Sequence, residues 1–181
     1  MRTVSILCAS RTSAYHDIGG IEVYDADRDA MTFKGDTPIV AHPPCRAWSA
    51  FCRHQAKPEP GEKELGLWCC EQLKACGGVL EQPAFSHLFA AGGLPTRGET
   101  IGDLSTLEIL QCWWGYPMLK KTWLCFSGVE HGCFVFPPKT TPPADSRRVF
   151  QVMSKNQRAA TCRPLAEWLI DAARKSTVLP S

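Results

Sequence analysis

IVAHPPCRAWSAF, residues 39–51, is the stretch from which the chain is best read. Ile39, Val40 and Ala41 form a short apolar run of the length and composition of a fully buried strand. The run stops at Pro43-Pro44, which fix the backbone and remove two amide donors. A cysteine follows at once, then Arg46, Trp48 and Ser49. A cysteine used only for packing needs no such approach. A nucleophile presented at the exit of a strand does.

Working outward, other short apolar runs end in the same way. TVSILCA (3–9), IEVYDAD (21–27), TPIVAHP (37–43) and GVLEQP (78–83) each predict a strand. LEILQCWWGYP (107–117) and KTWLCFSG (121–128) read as further strands. Between them, RTSAYHDIGG (11–20) predicts a short helix or turn and FSHLFAAGG (85–93) a short helix. EKELGLWCCEQLKACG predicts a helix, with Leu65, Trp68, Cys69, Gln72, Leu73 and Cys76 at helical spacing and Gly77-Gly78 to stop it. FPPKTTPPADSRR reads as an extended connector, and CRPLAEWLIDAARK (162–175) as a closing amphipathic helix with proline near its start. Strands alternating with helices predict an α/β layer fold. In open sheets of that class ligands sit at the carboxyl ends of the strands. Asp25 and Asp27, Pro43-Pro44-Cys45, and Glu81-Gln82-Pro83 all fall at such ends, so one cleft can collect them.

The bulk numbers set bounds. The 181 residues suit one domain, and with 44% apolar residues a sizeable core can be buried. A net charge of +2 without a lysine- or arginine-rich block excludes a long electrostatic stripe, so any nucleic acid must be met by a local patch. No apolar run reaches membrane-spanning length. The ten cysteines occupy positions where a small apolar residue would serve, as in LWCCEQLKAC, and MRTVSILCAS lacks a signal-peptide core. Reduced thiols in a cytoplasmic compartment are the expectation. Zinc is not expected: Cys45, Cys52 and His54, and Cys69, Cys70 and Cys76, lack the paired C-x2-C spacing.

A thiol near cations can be held as thiolate, and a carboxyl group can act as an acid or hold a ring edge. Cys45 and Glu81 together suit addition to an electron-poor heterocycle, the sulfur attacking C6 of a pyrimidine so that C5 becomes nucleophilic.

Four stretches, in order, resemble the motifs of the DNA cytosine-5 methyltransferases. HPPCRAWS is similar to that family's G-P-P-C-Q-x-F-S loop, and GGVLEQP to its strand ending in Glu-Asn-Val or Glu-Asn-Pro. WGYPMLKKTWLCFSG (114–128) resembles Y-G-V-P-Q-x-R-x-R-x-F, and YDADRDA (24–30) resembles E-x-D-x-x-A. The whole chain is also similar to small phage-type proteins of this kind. The resemblance covers 21–128 in patches. It implies a compact Rossmann-like, methyltransferase-like three-layer sandwich with a reduced sheet, forming a single catalytic domain over 1–181. It further implies Cys45 as nucleophile and Glu81 as the group on N3. Pro44, Arg46, Trp48, Ser49, Gln82, Trp114 and Lys120 would lie about the base. Asp25 and Asp27 would hold the ribose of S-adenosylmethionine, and the partner would be DNA or a pyrimidine nucleotide, in the host cytoplasm for a phage protein.

The departures are specific. LCASRTSAYHDIGG stands where the family has the F-x-G-x-G loop of the methyl donor. Lys120 and Thr122 replace the two arginines of Q-x-R-x-R, and Gln82 replaces asparagine. Between Gly128 and the final helix there is no space for the family's target-recognition domain. Three functional readings therefore stand side by side: a C5 methyltransferase-type enzyme, a C5-modifying enzyme with another donor, and a non-catalytic protein that binds DNA or nucleotide or counters a host defence. A base taken from a duplex would have to be flipped out to reach Cys45. Lys121, Arg147 and Arg148 are further candidates for phosphate, while Trp113-Trp114 read first as core or cleft wall and His42 first as a packed residue beside the site.

Overall fold

The computed structural model describes residues 2–50, 57–130, 132, 134–141, 144 and 146–178. The chain runs β1 (Val4–Leu7), β2 (Ile21–Tyr24), β3 (Ile39–Ala41), α1 (Glu62–Cys76), β4 (Gly78–Pro83), α2 (Leu88–Ala91), β5 (Thr100–Ile101), β6 (Leu104–Leu110) and β7 (Lys121–Ser127). Three helices follow: α3 (Ser146–Val152), α4 (Lys155–Ala159) and α5 (Arg163–Arg174). The α/β class expected from the sequence is the one observed. The strands form one seven-stranded mixed sheet in the order β2-β1-β3-β4-β7-β6-β5. The first four strands in that order pair in parallel, and the last three join antiparallel.

Apolar residues on both faces of the parallel strands account for the layering. Leu7, Ile39, Ala41 and Leu80 point into a core with Cys69, Cys70, Leu73 and Cys76 of α1. Val4, Ile6, Val40 and Val79 point the other way, into a core with Leu165, Ala166, Leu169, Ile170 and Ala173 of α5. The sheet is thus covered by α1 on one face and α5 on the other. Cysteines are part of this packing: burial pushes the Cys70 and Cys125 thiols up to about 12, which makes them inert filler rather than nucleophiles. Gly78 begins β4 at φ +115°, where a Cβ would run into the backbone of Ile39, so the helix can turn back against β3 only through a glycine.

The structure departs from the sequence reading at four points, one being that the connector expected over 136–148 gives way to α3 at Ser146. The sheet is not reduced in strand number, because the β5–β6 hairpin and β7 extend the parallel half to seven strands. The strand expected over 107–117 ends at Leu110, and Gln111–Trp114 form a 3-10 turn closed by Gly115 at φ +85°. The strand expected over 21–27 ends at Tyr24, because the Asp25 carboxylate accepts the backbone N–H groups of Asp27 and Arg28 and turns the chain. Among the described residues no helix is long and apolar enough to cross a membrane.

Candidate active site

The register of the parallel strands builds the site. Leu7 of β1, Ala41 of β3 and Leu80 of β4 lie side by side on one rung. One residue further on stand Cys8, His42 and Glu81, and the His42 amide donates to the Leu7 carbonyl (3.0 Å). Because β2 and β3 flank β1 on opposite sides, the chain direction of winding switches here, the place where open α/β sheets take their ligands. A cavity of about 300 Å³ lies at this point. It is lined by Cys8, Ser10 and Ser13 from the segment after β1, by His42, Pro44 and Cys45 from the segment after β3, and by Glu81 and Gln82 of β4.

A chain of hydrogen bonds crosses its floor. The Tyr15 hydroxyl is 2.8 Å from His42 Nε2, His42 Nδ1 is 3.1 Å from Glu81 Oε2, and Gln111 Nε2 is 3.2 Å from Glu81 Oε1. Gln111 Nε2 also donates to Thr122 Oγ1 at 3.0 Å, which fixes the amide. Burial works to raise the Glu81 pKa, but the His42 hydrogen bond and the positive charge of Lys120 outweigh it and hold the carboxyl below the usual range. Burial, with the nearby Glu81 charge, pushes the Tyr15 phenol well above its ordinary value. Tyr15 therefore stays a neutral phenol, and the His42 imidazole bridges it to Glu81.

The thiol is held by a separate set of contacts. Gln82, fully buried, donates through Nε2 to the Pro43 carbonyl (2.5 Å) and accepts at Oε1 from Ser86 Oγ (3.1 Å). The Cys45 carbonyl accepts the amides of Trp48 (3.0 Å) and Ser49 (2.9 Å), which closes a tight turn behind it. Cys45 is half-buried, and none of the described cysteines is in a disulfide. The remaining wall is formed by Lys120, by Arg158 and Ala159 at the end of α4, and by Ala160 and Thr161 after it. The Tyr116 hydroxyl fastens that segment at the carbonyls of Gln157 (3.3 Å) and Arg158 (3.0 Å).

Of the residues singled out in the sequence, the cavity thus unites Pro44, Cys45, Glu81, Gln82 and Lys120. His42, Pro43 and Pro83 line it too, whereas Arg46, Trp48, Ser49, Trp114, Asp25 and Asp27 do not. Arg46 turns to Glu62 at the start of α1 and lies 3.7 Å from Glu59. Trp48 is buried in the α1 core against Gly66, and Ser49 is buried in the turn below it. Trp114 is buried among Trp113, Phe136 and Trp168. Asp25 caps its own turn and sits 3.4 Å from His16, while Asp27 pairs with Arg11 at 2.6 Å. Cys52, His54 and Cys133 lie outside the described residues, as does the side chain of Arg147. Among the described residues no group of three His, Cys, Asp or Glu side chains could hold a metal ion.

Tyr15 and Gln111 were not visible as site residues in the sequence, because only the tertiary fold brings them to Glu81. His42 had one signal, its place immediately before Pro43-Pro44. No protein-family model matches the chain, and no curated protein matches it significantly.

Proposed function

We propose that the chain modifies C5 of a pyrimidine in the manner of the cytosine-5 methyltransferases, with Cys45 as the nucleophile and Glu81 on the N3 edge of the ring. The observation that carries this reading is that Cys45 and Glu81, from the exits of two parallel strands, line one cavity of about 300 Å³. That volume lies at the lower end of small-molecule sites and is of the order of one nucleotide. The parallel order β2-β1-β3-β4 with helices on both faces supports the Rossmann-like form of the fold. In the reaction the Cys45 sulfur bonds to C6, and the displaced π electrons make C5 nucleophilic. C5 takes up an electrophile and loses its proton. The electrons return to re-form the C5–C6 double bond, and the thiolate leaves. Lys120 and Arg158 give the cavity wall positive charge for a phosphate. The reduced thiols suit a cytoplasmic setting.

The donor side does not fit S-adenosylmethionine. Cys8, at φ +61°, places a side chain at the β1 exit where a close backbone approach would be needed. Asp25 and Asp27 are engaged with their own turn and with Arg11, and neither lines the cavity. The same two facts favour a second reading, a protein that binds a pyrimidine nucleotide or DNA without modifying it, as a counter-defence protein would.

Nucleoside mass spectrometry on nucleic acid and nucleotide pools from cells making the wild type or Cys45→Ala separates them. A pyrimidine of increased mass seen only with the wild type supports the enzyme, and the added mass identifies the transferred group. Pools identical in both strains support the binding protein.

A further inference from the structure

Cys8 stands on the boundary between the cavity and the core. It is half-buried, lines the cavity together with Cys45, and packs against the α1 core that holds Cys69 and Cys70. Its sulfur lies 3.7 Å from the sulfur of Cys69, which is fully buried. Cys70, the next residue, faces elsewhere: a Cβ on Gly92 would stand 2.5 Å from its sulfur. The backbone of Cys8 is at φ +61°, a conformation that glycine holds without strain and a cysteine does not. A side chain thus sits where the backbone disfavours one, and what it contributes is a sulfur at the cavity wall in contact with a second sulfur behind it.

That arrangement is the one an oxidisable pair needs. The outer thiol is reached through the cavity, and the inner one is in place to resolve what forms on it. Burial and the Cys8 contact push the Cys69 thiol well above its ordinary value, so Cys69 stays protonated and the outer thiol reacts first. The two sulfurs must close from 3.7 Å to about 2.05 Å, a movement on the scale of side chains. We propose that Cys8 and Cys69 form a reversible dithiol–disulfide pair, oxidised by a peroxide that enters through the cavity. The Cys8 thiolate attacks a peroxide oxygen, the O–O bond breaks, and the hydroxide that leaves takes up a proton to become water. The Cys69 sulfur then attacks the Cys8 sulfenic acid. The S–S bond forms, the S–O bond breaks, and the oxygen leaves as a second water with the Cys69 proton. Two electrons from the two thiols reduce one peroxide, and a dithiol reductant reverses the bond by exchange. The bond draws the Cys8 sulfur out of the cavity wall and ties the β1 exit to α1. A transient disulfide of this kind is compatible with a reducing compartment. The inference stands whichever ligand the cavity takes.

The test treats the reduced full-length protein, in native buffer, with hydrogen peroxide. The remaining thiols are then alkylated in denaturant, and the peptides are mapped by mass spectrometry without reduction. The expected result is a linked Cys8–Cys69 peptide, the loss of these two thiols before any other pair, and recovery of both on adding dithiothreitol. The same treatment in urea is expected to lose this selectivity. In Cys69→Ala, Cys8 is expected to be trapped by dimedone as the sulfenic acid; should that variant fold poorly, the wild-type map decides alone. A link from Cys8 to Cys45 or to any other cysteine overturns the proposal. So does oxidation of Cys45 while Cys8 and Cys69 remain alkylatable, or a Cys8–Cys69 yield no greater in native buffer than in urea.

Discussion

His42 Nδ1 lies 3.1 Å from Glu81 Oε2, and these two residues stand one position beyond the paired Ala41 and Leu80 on neighbouring parallel strands. The strand register therefore brings these two side chains together at the floor of the cavity. Slipping β3 against β4 by one residue would leave His42 opposite Leu80 or Gln82 and break the pair.

His42→Phe removes the donor and leaves a buried carboxylate short of one hydrogen bond. A loss of about 1–3 kcal/mol in stability is expected at neutral pH. The Glu81 value in the folded protein is depressed, so its contribution is complete above the unfolded carboxylate pKa of about 4.3 and fades as pH falls through the lower folded value. Urea denaturation of both proteins over this range checks it: the gap is expected to shrink in acid, and a gap that stays constant would contradict the linkage.

Gln82→Leu breaks the tie from β4 to the Pro43 carbonyl and leaves the Ser86 hydroxyl without that acceptor. Stability is expected to fall by about 1–3 kcal/mol. Alkylation of Cys45, followed by peptide mass mapping, is expected to change in rate because the loop behind the thiol is no longer held. An unchanged rate would remove the positioning role of Gln82.

Gly66→Ala sets helix propensity against packing. Alanine is favoured over glycine in a helix by about 0.8–1 kcal/mol. At this position, however, a Cβ would stand 2.5 Å from Trp48 Nε1 and 3.3 Å from Leu88 Cδ1. Overpacking of this kind costs about 1–3 kcal/mol, so a lower Tm is expected, and a raised Tm would show that Trp48 can move aside.

Arg46→Ala tests a residue that the sequence placed at the base and the structure places at α1. Its partners Glu62 and Glu59 form a partly exposed ion pair with it. Such pairs contribute about 0–1 kcal/mol, so a small change in Tm and unchanged nucleotide binding by titration are expected. A large loss of binding would return Arg46 to the substrate.

The sequence made the parallel core and its strand exits legible for a physical reason. Strands buried on both faces are unbroken apolar runs, and the prolines after Ala41 and at Pro83 mark their exits. Cys45 and Glu81 followed from those exits. The tryptophans did not, because an indole that fills a core and one that stacks on a base look alike in sequence; Trp48 and Trp114 are both core. The Tyr15–His42–Glu81–Gln111 chain was hidden because it joins four separate segments through side chains alone. Gln111 lay inside what reads as a continuing strand, and only the 3-10 turn carries its amide back to Glu81.

The most direct test of the central claim needs no donor. When Cys45 adds to C6, C5 can take a deuteron from solvent, lose its original proton and expel the thiolate, which returns the pyrimidine with deuterium at C5. Incubating the wild type and Cys45→Ala with dUMP, dCMP and the corresponding oligomers in heavy water, and following the C5 hydrogen by NMR, reads this step alone. Loss of the C5 signal with the wild type and its persistence with Cys45→Ala is the predicted result. Exchange that survives in Cys45→Ala, or no exchange of any pyrimidine with the wild type, would contradict the assignment of Cys45 as the nucleophile.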